Sequence, residues 1–367
     1  MAQFAYVGCY TSRQRAARGR GIEVYEIDNA GKWFLKQTVQ PVQDNPSWLI
    51  LDSRGGLLHA VHGDGTALAT YGRDPLSGLL TLLGERSTGP QNPHPALDPK
   101  QRNNPVHVAY DPSGRYLLVA NLNAGNVAVF PIGIKGIPDP VCSIIPIPGR
   151  SSPDHHAPGL SRPHEIVFDH GGKHFALPIQ GRSAGNGIDR VRIYAFNAGQ
   201  CVLTDEVDMA AGSWPRHVDF HPDGRFLYVL NEISNTISVF DYDETAGSLA
   251  LRQTLSSLPP DYAGRSDAGE IEVHANGRFL YASNRGHDSI GVFGIDRVSG
   301  GVHPIGWVPC GGKNPRFTTL TPDGRRFYSA NEESDTLTEF LVNAESGMLE
   351  NTGRVISTPS PTCVIFA

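Results

Sequence analysis

Pro215-Arg216-His217-Val218-Asp219-Phe220-His221-Pro222-Asp223-Gly224-Arg225-Phe226-Leu227-Tyr228-Val229-Leu230-Asn231-Glu232 reads as a strand, a tight turn and a second strand. Val218-Asp219-Phe220 alternates, as a half-buried strand does, and 226–230 is the more apolar partner. Working outward, Thr236-Ile237-Ser238-Val239-Phe240 gives a third strand after a short link. Gly247-Ser248-Leu249-Ala250-Leu251 gives a fourth after a Gly turn.

The same frame recurs six times, starting at Pro46, Pro105, Pro163, Pro215, Ala268 and Pro315. Nine residues after each start stands a turn glycine: Gly55, Gly114, Gly172, Gly224, Gly277 and Gly324. Sixteen residues after each start a strand ends, at His62, Asn121, Ile179, Asn231, Asn284 and Asn331. Four antiparallel strands every 47 to 59 residues describe the blade of a β-propeller. The ends supply a seventh blade: Ser360-Pro361-Thr362-Cys363-Val364-Ile365-Phe366 is a first strand, and Phe4-Ala5-Tyr6-Val7-Gly8 is a second strand with nothing before it. Pairing the two closes the ring and removes its open edges. The expected fold is therefore all-β: one seven-bladed propeller domain over 1–367. Insertions at 86–104 and 138–162 belong on a face of such a ring, where they could rim a pocket.

Positions that repeat in every blade serve the fold, so the recurrent Asn at the end of the second strand reads as structural. Positions that differ are informative. One residue after each start stand Ser47, Val106, His164, Arg216, Gly269 and Arg316, with Thr362 in the closing blade. The next column is Trp48, His107, Glu165, His217, Glu270 and Phe317. Seventeen after each start stand Gly63, Leu122, Gln180, Glu232, Arg285 and Glu332. Propeller topology brings these columns to one mouth of the central channel. A core would not choose such charges, because burying them unpaired is costly. A ring of interblade salt bridges is the plain alternative, but it would repeat from blade to blade. Arg216, Arg285 and Arg316 could hold a carboxylate, a phosphate or a developing oxyanion. Glu232 and His164 are the acid–base candidates.

Bulk composition excludes several classes. Net charge is −6 over 367 residues, which favours neither nucleic acid nor an anionic membrane. No apolar run approaches bilayer length, and the start reads as a strand, not a signal peptide, so cytoplasm is the expected compartment. The five cysteines, Cys9, Cys142, Cys201, Cys310 and Cys363, show no CxxC spacing. Asp154-His155-His156 with His164 has the makings of a metal cluster, but adjacent histidines point apart, so no metal is expected. The stretch from Gly181 to Gly187 lacks the strand–helix setting of a phosphate loop and reads as a plain loop.

At Trp214-Pro215-Arg216-His217, Val229-Leu230-Asn231-Glu232, Gly269-Glu270-Ile271 and Phe279 through Ile290, the chain resembles the lactonase family of seven-bladed propellers. That family includes 6-phosphogluconolactonases and 3-carboxy-cis,cis-muconate cyclases. The resemblance spans nearly the whole chain, including Tyr6-Val7-Gly8-Cys9-Tyr10-Thr11 at its start. It implies an active site at the channel mouth with no metal or organic cofactor. The cyclases' His, two Arg and Glu fall on His164, Arg216, Arg285 and Glu232. Substrate contacts are expected from His217, Glu165, His287 and Arg316. Two stretches depart from the family. Pro163-His164-Glu165-Ile166 has one His where Pro-His-x-His is usual. An insertion after Ile179-Gln180-Gly181 leaves only Asp189-Arg190 of an Asp-Leu-Gly-x-Asp-Arg run, so part of a sugar-phosphate pocket is unaccounted for.

The expected function is hydrolysis of a small acidic lactone by a monomer or homodimer, with Glu232 or His164 activating water. A lactonising cyclase on a carboxymuconate, or a propeller that only binds a partner, are the alternatives.

Overall fold

The computed structural model describes residues 3–89, 103–149, 161–182 and 187–367. Its strands form seven sheets, each with four strand positions in antiparallel order. Six blades follow the repeat frame, over 46–87, 105–146, 162–208, 215–256, 267–309 and 315–357. The seventh joins the two ends: Pro361–Phe366 pairs with Gln3–Cys9, with Val364 opposite Val7 and Cys363 opposite Gly8. The ring is closed as the sequence predicts.

The turn column explains why the frame is so regular. Gly55, Gly114, Gly172, Gly224, Gly277 and Gly324 all have φ between 64° and 76°, where a side chain is disfavoured. Each turn fixes the register of the innermost hairpin. The second strands are almost wholly buried; all six residues of Phe226–Asn231 are buried. Its outward-reaching tyrosines tie blades together. Tyr6, Tyr228 and Tyr281 donate their hydroxyls to the carbonyls of Gly78, Gly300 and Gly347 in the next blade, at 2.8, 3.1 and 2.9 Å. The recurrent asparagines are structural. Asn121, Asn284 and Asn331 donate from Nδ2 to the carbonyls of Thr88, Ser257 and Cys310, which lie on the links entering their blades.

One blade departs from the pattern. Its first strand is broken into Arg162–Pro163 and Val167–Phe168, both paired with His174–Gln180. His164, Glu165 and Ile166 lie in the gap. Residues 90–102 of the first insertion and 150–160 of the second, with His155 and His156, lie outside the described residues.

Candidate active site at the channel mouth

The first strands share a local irregularity that builds the site. Pro215 pairs with Asn231 and His217 with Leu230, so Arg216 is an extra residue opposite one partner. The same register shift falls between Pro46 and Trp48, Pro105 and His107, and Pro315 and Phe317. Between Ala268 and Ile271 it takes in Gly269 and Glu270. A β-bulge re-aims side chains, so neighbours that would alternate can face the same side. Ser47 with Trp48, Arg216 with His217, and Arg316 with Phe317 accordingly line one cavity of about 270 Å³. Glu232 and Arg285, just past the second strands, join them, and all seven blades contribute a residue. That places the cavity on the axis of the ring. Trp48 forms part of its floor, with ring centroids 4.4 Å from His107, 5.5 Å from His217 and 5.4 Å from Phe317. Trp48 also borders a separate cavity of about 1010 Å³, lined by His107, Ile50, Tyr110 and Phe168.

His164, Arg216, Glu232 and Arg285 are brought together here. Glu232 Oε1 accepts from Arg285 Nη2 at 2.8 Å, and Oε2 accepts from Gln180 Nε2 at 2.7 Å. Arg216 Nε lies 3.9 Å from Oε2. Arg216 is itself anchored, donating from Nη1 to the Gly269 carbonyl. Burial alone would raise the Glu232 carboxyl, but the charges of Arg285 and Arg216 outweigh it and hold the group well below the usual carboxylate range. Burial lowers Arg216 to about 10, with Arg285 and Arg316 adding repulsion. His164 is pushed well below its ordinary value by burial and then by Arg216, so its ring is neutral at pH 7. Its Nδ1 is buried without a hydrogen-bond partner among the described residues.

His217 and Arg316 also line the cavity, but Glu165 and His287 do not. The break in its strand turns Glu165 inward, where Oε2 accepts the Val218 N–H at 2.6 Å and Oε1 lies 3.7 Å from His107 Nε2. His287 bonds Ser289 Oγ at 2.6 Å and packs edge-on to Tyr262, beyond the strand end. Four lining residues, Tyr10, Arg15, Asn104 and Arg182, are not among the sequence candidates, and Asn104 stands just before the start of its blade. Tyr10 follows the second strand of the closing blade and matches Glu232 when Phe4-Ala5-Tyr6-Val7 is aligned on Phe226-Leu227-Tyr228-Val229. Splitting that blade between the termini hides the match. Arg15 ends a short 3-10 turn, Arg13–Arg15, and Arg182 stands on a loop; both lie outside the frame, and no repeat signal marks them.

At the base of the cavity, where His217 and Glu270 line it and Glu165 lies behind them, the donor atoms of the three residues lie within 4.8 Å of one another. They could hold a divalent cation only by giving up bonds they now make, since His217 Nδ1 is hydrogen-bonded to Glu270 Oε1 and Val218 occupies Glu165. Two carboxyls so close cannot both ionise without great cost. Burial raises Glu165 to about 8. Burial, then Glu165, pushes Glu270 well up. The folded chain thus binds a proton here more tightly than the unfolded chain does. That stability is full below the ordinary carboxylate value, near pH 4.5, and is lost as pH rises towards 8. Glu165→Gln keeps an acceptor for Val218 and cannot ionise. The melting temperature of the variant relative to the native chain is therefore expected to climb between pH 5 and 8. Melting curves across that range check it, and a constant difference contradicts it.

Comparison with known proteins agrees with this architecture. The family model described as "Lactonase, 7-bladed beta-propeller" matches residues 4–366. A 6-phosphogluconolactonase of Bacillus subtilis (strain 168) is 30% identical over 369 residues, covering 98% of this chain and 97% of the relative. The periplasmic gluconolactonase PpgL of Pseudomonas aeruginosa superposes with a TM-score of 0.83 at 28% identity, over 100% of this chain and 99% of that one. A putative 6-phosphogluconolactonase of Bacteroides fragilis gives 0.83 at 25% identity, over 100% and 98%. The chain belongs to the lactonase family of seven-bladed β-propellers.

Proposed function

We propose that the protein hydrolyses a small lactone bearing an anionic group, with 6-phosphogluconolactone as the lead substrate. One observation carries this reading: Glu232 sits between two arginines beside a neutral imidazole, in a cavity on the axis of the ring. Arg216 and Arg285 are donors for the oxygen of the lactone carbonyl as it gains charge. While both face Glu232, the carboxylate is a weak base. A substrate oxygen that takes over part of the arginines' charge restores its basicity where it is needed. Glu232 then accepts a proton from water, assisted by the neutral His164 ring. The water oxygen bonds to the acyl carbon, the ring C–O bond breaks, and the departing oxygen takes a proton. The products are a hydroxy acid in its carboxylate form and one released proton.

The Bacillus relative, named for this activity, supports the reaction class. All seven blades contribute to the cavity, so the ring completes it without a second copy, which a monomer and a homodimer suit equally. No helix among the described residues is long and apolar enough to cross a membrane. Cys9 and Cys363 are free thiols in one blade, which suits a reducing cytoplasm. Proton release on a panel of lactones tests the reading. Turnover of 6-phosphogluconolactone is expected. Turnover of a muconolactone alone would move the assignment to a cyclase.

A further inference from the structure

The loop after the strand His174–Gln180 adds a charge to the cavity that the repeat frame does not supply. Arg182 lines the cavity from a backbone with φ 37°, where residues with a side chain are uncommon. The base of the loop is pinned. Asp189 accepts the N–H of Gly181 at 2.7 Å, of Gly212 at 2.7 Å and of Trp214 at 3.2 Å. The Arg182 guanidinium lies 4.8 Å over the Trp214 ring, and its Nε donates to Gln180 Oε1 at 2.8 Å. One face and one edge are thereby fixed. Its Nη1 and Nη2 have no acceptor among the described residues. Gln180 in turn donates to Glu232, so a continuous chain runs from Arg182 through Gln180 and Glu232 to Arg285.

Two other arginines border this corner. Arg15 is committed to Asp64, with Nη2 at 2.8 Å from Oδ1. Arg316 lies 4.9 Å over Tyr10, and its contact with Glu332 is at 3.8 Å, beyond hydrogen-bond range. Among the described residues, Arg182 thus makes no ion pair, and Arg316 keeps only the long 3.8 Å contact with Glu332, so neither guanidinium is held by a hydrogen-bonded carboxylate. A phosphate monoester carries about −1.5 to −2 at neutral pH and offers oxygens that match forked donors. A single carboxylate would leave one of these charges unmatched.

We propose that Arg182, together with Arg316, selects lactones that carry a dianionic phosphate ester, an inference that rests on the lactonase reading above. The lactone carbonyl faces Arg216 and Arg285, and the phosphate reaches the fork that Trp214 and Gln180 hold in place. Arg182 acts as a specificity residue, supplied by the insertion that replaces the family's usual run.

The test compares kcat/KM on 6-phosphoglucono-δ-lactone with kcat/KM on glucono-δ-lactone, which has the same ring without the phosphate. Arg182→Gln is expected to lower that ratio roughly tenfold or more, the effect of losing a charge-assisted hydrogen bond. Arg182→Lys, which keeps the charge without the fork, is expected to fall between. Purely structural damage would slow both lactones alike, and an unchanged ratio overturns the proposal. If the native protein opens neither lactone, the lactonase reading fails, and calorimetry with gluconate 6-phosphate and gluconate decides this inference separately. Loss of the phosphate-dependent affinity in Arg182→Gln supports it, and equal affinity in native and variant protein overturns it.

Discussion

Glu232→Gln is expected to lower kcat by roughly 10²–10⁴-fold, the usual contribution of a general base, while leaving KM unchanged or lower. Gln keeps the shape of the side chain and an acceptor for Arg285, but it cannot take a proton. The charge it removes is the one that Arg285 and Arg216 now face at 2.8 and 3.9 Å. With that charge gone, both arginines are more available to an anionic substrate, so ground-state binding does not suffer. The contrasting variant is Arg285→Ala. Its loss removes a donor to the developing oxyanion and a contact to the bound anion, so kcat falls by about 10²–10³ and KM rises. It also frees Glu232 from the charge that holds its carboxyl down. The base form is lost as pH falls through that carboxyl's pKa, so the acid limb of the pH–rate profile should move to higher pH in Arg285→Ala. Steady-state kinetics across pH read all of these effects. Near-native kcat in Glu232→Gln would give the base to His164, since the Glu165 carboxyl lies below the cavity on Val218.

Deleting 360–367 is expected to have the largest effect on stability. Among the described residues, the strand Pro361–Phe366 is the one partner of Gln3–Cys9 on its channel-facing side. Its loss exposes Tyr6, Val7 and Cys9, which are fully buried in the intact ring, and takes away the buried Cys363 and Val364. It also removes the Thr362 hydroxyl bond to the Gly8 carbonyl at 2.9 Å and the Ser360 carbonyl that Tyr10 N–H reaches at 3.0 Å. Fully burying one aliphatic side chain contributes about 1.5–3 kcal/mol. Several such losses approach the whole net stability of a domain, about 5–15 kcal/mol. Calorimetry should show no native transition in the truncated chain, or one lowered by tens of degrees. A shift of only a few degrees would mean that the other six blades hold the ring without closure.

The fold was legible because the strongest constraint is local and repeated. A turn that needs a left-handed backbone recurs at a fixed distance from each blade start, and Gly marks it every time. The channel-facing columns were legible for a related reason. The bulge that turns Arg216 and His217 to the same side occurs at the same place in most blades, so it leaves the spacing intact. Where a blade breaks that rule, the reading failed. Glu165 occupies the right column, but its strand is interrupted, and its carboxyl turns inward to Val218. His287 lies past the strand end, in a hairpin whose direction no column records. Arg15 and Arg182 were invisible because loops owe nothing to the repeat. Their positions depend on long-range contacts, Arg15 to Asp64 and Arg182 to Trp214, which no local pattern records.

The most direct test of the central claim is a crystal structure with gluconate 6-phosphate, the product of the proposed reaction. The product carboxylate is expected within hydrogen-bond distance of Arg216 and Arg285, with Glu232 and His164 beside its acyl carbon. Product bound instead in the cavity on the far side of Trp48, or no binding at millimolar concentration, would contradict the account.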